Sequence, residues 1–277
     1  MKKGLVMALS LTLVLSFAAC GNNGTTDSSA SSEEVSSVAS ESKDDASVES
    51  TEEVSSETEN TDVADETVMS YADYVAAELE SPVVIEAYVQ AHQSWWDNKI
   101  TVYAADEDGA YFIYNMTCSE EDSAKLVPGT KIKVTGYKTE WSGEVEIAEG
   151  ATFEIEDGSY IAEATDVTDL LGTDDLINYQ NQFVSFKGMT VEESEGGAAF
   201  LYNWDGSGSA DSNSDLYFNV SLNGQTYTFT VESYLCDNTT DVYKTVEGLK
   251  VGDVIDMEGF LYWYNGVNPH ITNVTVK

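Results

Sequence analysis

The chain has 277 residues, with 50 Asp and Glu against 12 Lys, no Arg and a formal net charge of −38. Nucleic-acid affinity draws largely on Lys and Arg neutralising phosphates, and Arg is the main reader of guanine. This balance therefore argues against a nucleic-acid partner, and it favours solubility and attraction of cations or basic partners.

Lys2 and Lys3 form a short basic start, an apolar run follows from Leu5 to Phe17, and the run ends in Ala18-Ala19-Cys20. A charged start, about a dozen apolar residues and a small-residue cleavage site make a secretory signal rather than a spanning helix. The Cys directly after Ala-Ala resembles the lipobox of bacterial lipoproteins, although Phe17 stands where Leu is usual. That resemblance implies cleavage of 1–20 and lipidation of Cys20; the alternative is an ordinary signal peptide cleaved nearby. Residues 21–66 are dominated by Ser, Glu, Thr and Asp. Such a segment buries too little apolar surface to offset its ordering entropy, so it reads as a disordered linker. About 45 flexible residues span roughly 37 Å, and like charges extend them further. A lipid at one end and a folded body at the other predict a tethered protein on the extracellular face of a bacterial cytoplasmic membrane.

Residues 67–160 read as a first domain. Ser70-x-x-Asp73 is a capping signal ahead of a short helix whose face is Tyr71, Tyr74, Val75 and Leu79. Pro82 ends it, and Val83 to Gln90 reads as a strand. Lys99–Ala104 and Ala110–Thr117 read as a hairpin around Asp106-Glu107-Asp108-Gly109, and Ser119–Lys125 as a short helix. Thr130–Tyr137 alternates with Ile132 and Val134 inward, and a last strand turns back across Trp141-Ser142-Gly143.

Residues 161–277 read as a second domain with the same order. Leu176–Tyr179 reads as helical and Phe183–Val191 as a strand. Leu216–Leu222 and Gln225–Glu232 read as a hairpin across Asn223-Gly224, a dipeptide suited to a type I′ turn. A helical link over Asp237–Val246 precedes strands at Asp253–Gly259 and Leu261–Val276. An offset of 123 relates Leu126, Gly129, Ile132, Gly136, Tyr137, Trp141 and Gly143 to Leu249, Gly252, Ile255, Gly259, Phe260, Tyr264 and Gly266. Agreement at seven positions marks a duplication of paired domains.

Strand, hairpin, helix, hairpin is the order of the OB-fold, a five-stranded Greek-key barrel. The expected class is therefore mainly β: two small OB-fold-like barrels with short helices, after a disordered linker. The whole chain resembles tandem-OB-fold lipoproteins of Gram-positive bacteria, a resemblance that brings no activity with it.

In that register Trp95, Trp96, Trp141, Tyr202, Trp204, Tyr262, Trp263 and Tyr264 fall in or beside the two loops with which OB-folds hold oligonucleotides and oligosaccharides. With nucleic acid set aside on charge, the expected ligand is a glycan or another small ligand. The alternative is an envelope scaffold or protein-interaction module using the same faces. Each Trp could instead fold over a barrel mouth and cap its core.

Asp205, Asp211, Asn213 and Asp215 lie in a Gly/Ser-rich loop that could present oxygens to calcium, although no Glu closes it as in an EF-hand. Cys118 and Cys236 follow the third strand of each barrel and read as buried packing residues or an interdomain disulfide. His92 and His270 are isolated, which makes a zinc site improbable, and each reads as a surface or rim residue. No Gly-x-Ser-x-Gly, His-Glu-x-x-His or phosphate loop occurs. Carboxylate pairs for glycoside hydrolysis stay open because acids occur throughout. The body is expected not to be an enzyme and to need no cofactor.

Overall fold

The Ser70 hydroxyl accepts the Asp73 amide and so caps α1 (Tyr71–Ala76) at the edge of the first barrel. The structure, a computed structural model, describes residues 67–277. Cys20, the signal segment and the linker lie outside the described residues. No described helix is long and apolar enough to cross a membrane.

The first barrel contains β1 (Pro82–His92), β2 (Lys99–Ala105), β3 (Ala110–Thr117), α2 (Glu120–Ser123), β4 (Thr130–Trp141) and β5 (Glu144–Ile147). Its strands close in the circuit β1-β2-β3-β5-β4-β1, with β3 and β5 parallel. A register shift between Val89 and Ala91 lets β1 pair with β4 along its first half and with β2 along its second. Such a bulge adds the bend that closure of a small barrel needs. A further strand, β6 (Thr152–Ser159), adds to the outer side of β4. Lys131 ties these pieces together, its ammonium lying 2.5 Å from Glu86 on β1 and 2.9 Å from Glu156 on β6.

The second barrel begins with β7 (Thr165–Asp166), a two-residue strand beside β8 (Phe183–Glu192). It continues through β9 (Leu201–Tyr202), β10 (Leu216–Leu222), β11 (Gln225–Val231), α3 (Asp241–Glu247), β12 (Val254–Phe260) and β13 (His270–Val276). Its circuit is β8-β10-β11-β13-β12-β8, with β11 and β13 parallel. Both barrels therefore have the OB-fold strand order, and the fold is mainly β with short helices.

The repeated residues explain themselves in this setting. Leu126, Ile132 and Ile255 are fully buried, and Leu249 is nearly so. Gly129 and Gly252 hold φ near +91° and +92°, and their amides donate to Val89 and Val191 on the first strand of each barrel. A Cβ on Gly136 would lie 2.7 Å from Ile147, and one on Gly259 would lie 2.2 Å from the His270 carbonyl oxygen. Each of these glycines lets the fourth strand approach the fifth.

Some expectations need correction. The last strand starts at His270 rather than at Leu261. Residues 261–269 form a loop around a Trp263–Val267 bridge, because Asn265 and Gly266 take positive φ. The helical link over 237–246 contracts to α3, and residues 176–179 belong to a 3₁₀ turn. Strand β6 is missing from the expected elements, although Phe153 and Ile155 alternate with Thr152, Glu154 and Glu156; it lies outside the five-strand circuit and is largely exposed. His270 is not on the surface. It is buried between the barrels, where it shares a 2.7 Å hydrogen bond with the Tyr103 hydroxyl, and burial pushes its imidazole down to about 3. Cys118 and Cys236 are free thiols in separate cores, so no disulfide joins them.

Gly259→Ala should cost at least about 3 kcal/mol, since the clash is with backbone and cannot relax by rotamer change. Gly224→Ala, at φ +81° with open space around it, should cost only about 1 kcal/mol. Chemical denaturation of both variants checks the contrast.

Candidate ligand-binding groove

Along β10, Leu216, Phe218 and Val220 point into the second core, so the alternate residues Tyr217 and Asn219 face outward. The neighbouring strand β11 places Thr228 beside them, where its hydroxyl donates to Asn219 Oδ1 over 2.8 Å. The loop between β8 and β10 brings Ser194, Glu195, Leu201 and Trp204 to one rim. The loop between β12 and β13 brings Tyr264, Val267 and Asn268 to the other. Together these ten residues line a groove of about 720 Å³, within the usual size of a small-ligand site. This is the strand-two-and-three face through which OB-folds hold oligomers.

Aromatic surface dominates the rims. Trp204 is 76% exposed, Tyr264 is 49% exposed, and Trp141 of the first barrel packs beside Tyr264 with ring centroids 5.1 Å apart. Glu195 is the one charged residue in the lining. Burial, with Asp215 next in effect, pushes the Tyr217 hydroxyl up to about 12, so it stays neutral and able to donate.

The eight aromatics expected to bind separate into three roles. Trp204 and Tyr264 line the groove, and Trp141 flanks it. Trp96 lies apart, in a groove of about 420 Å³ on the first barrel that also contains Tyr114 and, from the second barrel, Tyr234. The others are structural. Trp95 packs on the first core and donates its indole N–H to the Cys118 carbonyl, 2.9 Å away. Tyr202 packs on the second core and donates to Glu247. Tyr262 stacks on His270 at 4.4 Å between the barrels, and the Trp263 amide donates to Glu144. Trp95, Trp96 and Trp141 do not converge on one groove.

Tyr217, Asn219, Thr228 and Asn268 are groove residues that the loop register does not point to. The signal that could find them is the outward half of the β10–β11 alternation, on the face between the two loops.

The acidic loop does not gather its oxygens. Asp205 accepts from the Ser207 amide, Asp215 from the Ser233 amide and hydroxyl, and Asn213 from the Asn238 amide. Among the described residues no group of three His, Cys, Asp or Glu is placed to hold a metal ion. Burial raises the Cys118 and Cys236 thiols to about 11 and about 12, which leaves little reactive thiolate at neutral pH.

No protein-family model matches the chain, and no curated protein matches it. Solved structures do. One is the crystal structure of the p204 HINb domain, at 12% identity over 72% of this chain and 98% of that one, with TM-score 0.33. Another is a murine DNA-binding protein bound to double-stranded DNA, at 11% identity over 71% and 96%, with TM-score 0.35. A third is a replication protein A heterotrimer bound to single-stranded DNA, at 13% identity over 72% of this chain and 49% of that one, with TM-score 0.28.

Two expectations are not retained. Charge points away from nucleic acid and towards a glycan or other small ligand, yet similar chains occur in complexes with DNA. The absence of a nucleic-acid partner is one of them, and the glycan or other small ligand, with its scaffold alternative, is the other.

Trp95→Ala should lower stability by about 3 kcal/mol, as loss of a core-packed aromatic does. Trp96→Ala and Trp204→Ala should stay within about 0.5 kcal/mol of the parent. Thermal or urea unfolding of the three variants checks the division between core and rim.

Proposed function

We propose that the body is a non-catalytic binding module, and that single-stranded nucleic acid is its ligand, held by its bases in the second-barrel groove. The observation that carries this reading is the groove itself. Two loops and the strand-two-and-three face bring Trp204, Tyr217 and Tyr264 together around a lining with a single carboxylate. Base–aromatic stacking contributes about 1–3 kcal/mol per base and needs no positive charge. Unpaired bases offer flat π-faces to such rings, whereas a duplex hides them.

The net charge of −38 sets the conditions. Phosphates are repelled at long range, so binding should strengthen as salt rises, the reverse of phosphate-led recognition. Titration of intrinsic Trp fluorescence with single-stranded oligonucleotides at low and high salt tests this. Quenching that grows with salt and weakens about tenfold in Trp204→Ala or Tyr264→Ala is expected, roughly the loss of one stacked base. No quenching at high salt, or unchanged affinity in both variants, would sink the reading.

The module is also read as a lipid-anchored protein on the extracellular face of the membrane, like the Gram-positive lipoproteins it resembles. Lys2, Lys3, the Leu5–Phe17 run and Ala18-Ala19-Cys20 support this. Metabolic labelling with a fatty acid should mark the wild type and not Cys20→Ser; equal labelling of both disproves the anchor.

A further inference from the structure

Glu144 stands at the start of β5, immediately after the tight turn Trp141-Ser142-Gly143, and its side chain is fully buried. The partners of its carboxyl come from the second barrel. Oε2 accepts from the Trp263 amide at 2.8 Å and from Gln180 Nε2 at 3.2 Å. The same meeting point holds three further links. Gln180 Nε2 donates to the Gly143 carbonyl, Asn181 Nδ2 to the Val145 carbonyl, and the Asn265 amide to the Ser142 carbonyl. Trp263 and Asn265 flank Tyr264, which lines the groove. The carboxyl of one barrel thus holds the hairpin that forms the rim of the other barrel's site.

Three buried oxygens at this point have no partner: Glu144 Oε1, Asn181 Oδ1 and the Tyr74 hydroxyl. An ionised Glu144 would place its charge on a buried carboxyl with Oε1 unpaired, whereas the neutral acid avoids that cost. The surroundings supply no compensating charge. Glu146 faces Glu144 from β5, Tyr74 from α1, Tyr103 from β2 and Tyr262 from the hairpin. The nearby cation, Lys138, lies over the Tyr74 ring and donates to the Tyr74, Val75 and Ala77 carbonyls instead.

We propose that Glu144 is the positioning residue for the ligand-facing hairpin of the second barrel, and that it acts as a neutral acid whose deprotonation releases that hairpin. The meaning for ligand binding rests on the groove reading above, but the seam itself does not. Desolvation raises the Glu144 carboxyl from its ordinary 4.5 to about 9. The unfolded chain gives up this proton near 4.5, so the group's contribution to stability is complete below that pH. It is lost progressively as pH rises towards 9.

Infrared difference spectra of the wild type minus Glu144→Gln should show a protonated carboxyl at neutral pH that disappears with a midpoint near 9. Deuterium exchange at the Trp263 and Asn265 amides should accelerate above that midpoint in the wild type relative to Glu144→Gln, whose neutral amide keeps the seam closed. If the variant fails to fold, the pH titration of the wild-type band decides the same question. A carboxylate band at neutral pH overturns the proposal, as does identical exchange in both proteins across the midpoint. Neither readout involves a ligand, so its failure is separable from failure of the oligonucleotide titration.

Discussion

The seam between the barrels is the constraint on which the rest depends, and it is a problem of burying polar groups in a very acidic chain. With a net charge of −38, two halves of this protein would repel if charges met at their contact. The seam instead uses groups held neutral. Tyr103 stacks on Phe260 at 4.3 Å, Phe112 packs on Tyr262, and His270 is kept uncharged beside Tyr103. Desolvation also raises Glu232, which receives Gln93 Nε2, to about 7. Most polar groups here are kept neutral or hydrogen-bonded, Glu144 Oε1 and Asn181 Oδ1 being left unpaired.

Duplication gives this seam its form. Trp141 and Tyr264 occupy equivalent positions, and so do Ser142 and Asn265. In each pair the two equivalents touch, the first through their rings and the second through an amide-to-carbonyl hydrogen bond. The hairpin between the fourth and fifth strands has consequently been put to different uses. In the first barrel it is spent on the contact with its twin. In the second it is held by that contact and lines an open groove. The first barrel's own strand-two-and-three face is bounded by Tyr234 of its neighbour, which leaves the second barrel with the more complete site.

The sequence makes legible whatever repeats or alternates. The spacing of Leu126, Gly129, Ile132 and Gly136 reports a core strand, a left-handed turn and a close strand approach, and its second copy reports the same. The Tyr264 and Trp204 rims are readable from the register. Contacts between the copies are not. Nothing local distinguishes Trp95, which packs against a core, from Trp96, which faces solvent at 70% exposure. Adjacent residues on an irregular loop differ only in what the distant chain brings against them. The same holds for His270, isolated in sequence and buried in space.

Net charge bears on approach more than on contact because the body is not a uniform field. At physiological ionic strength the Debye length is about 8 Å, so a ligand in the groove responds mainly to charges within that distance. The lining itself offers neutral Ser, Asn and Thr side chains and a single Glu, with Asp215 and Glu232 acting on Tyr217 from behind it. Net charge acts on approach, slowing encounter with an anion, while the contact free energy is set by the rings. These two effects separate experimentally, because salt weakens the first and leaves stacking almost untouched. An acidic barrel pair is therefore a poor collector of phosphates, and the proposed ligand would be held by the aromatic rims instead. The neutral seam supports that surface by fixing the hairpin that carries Tyr264.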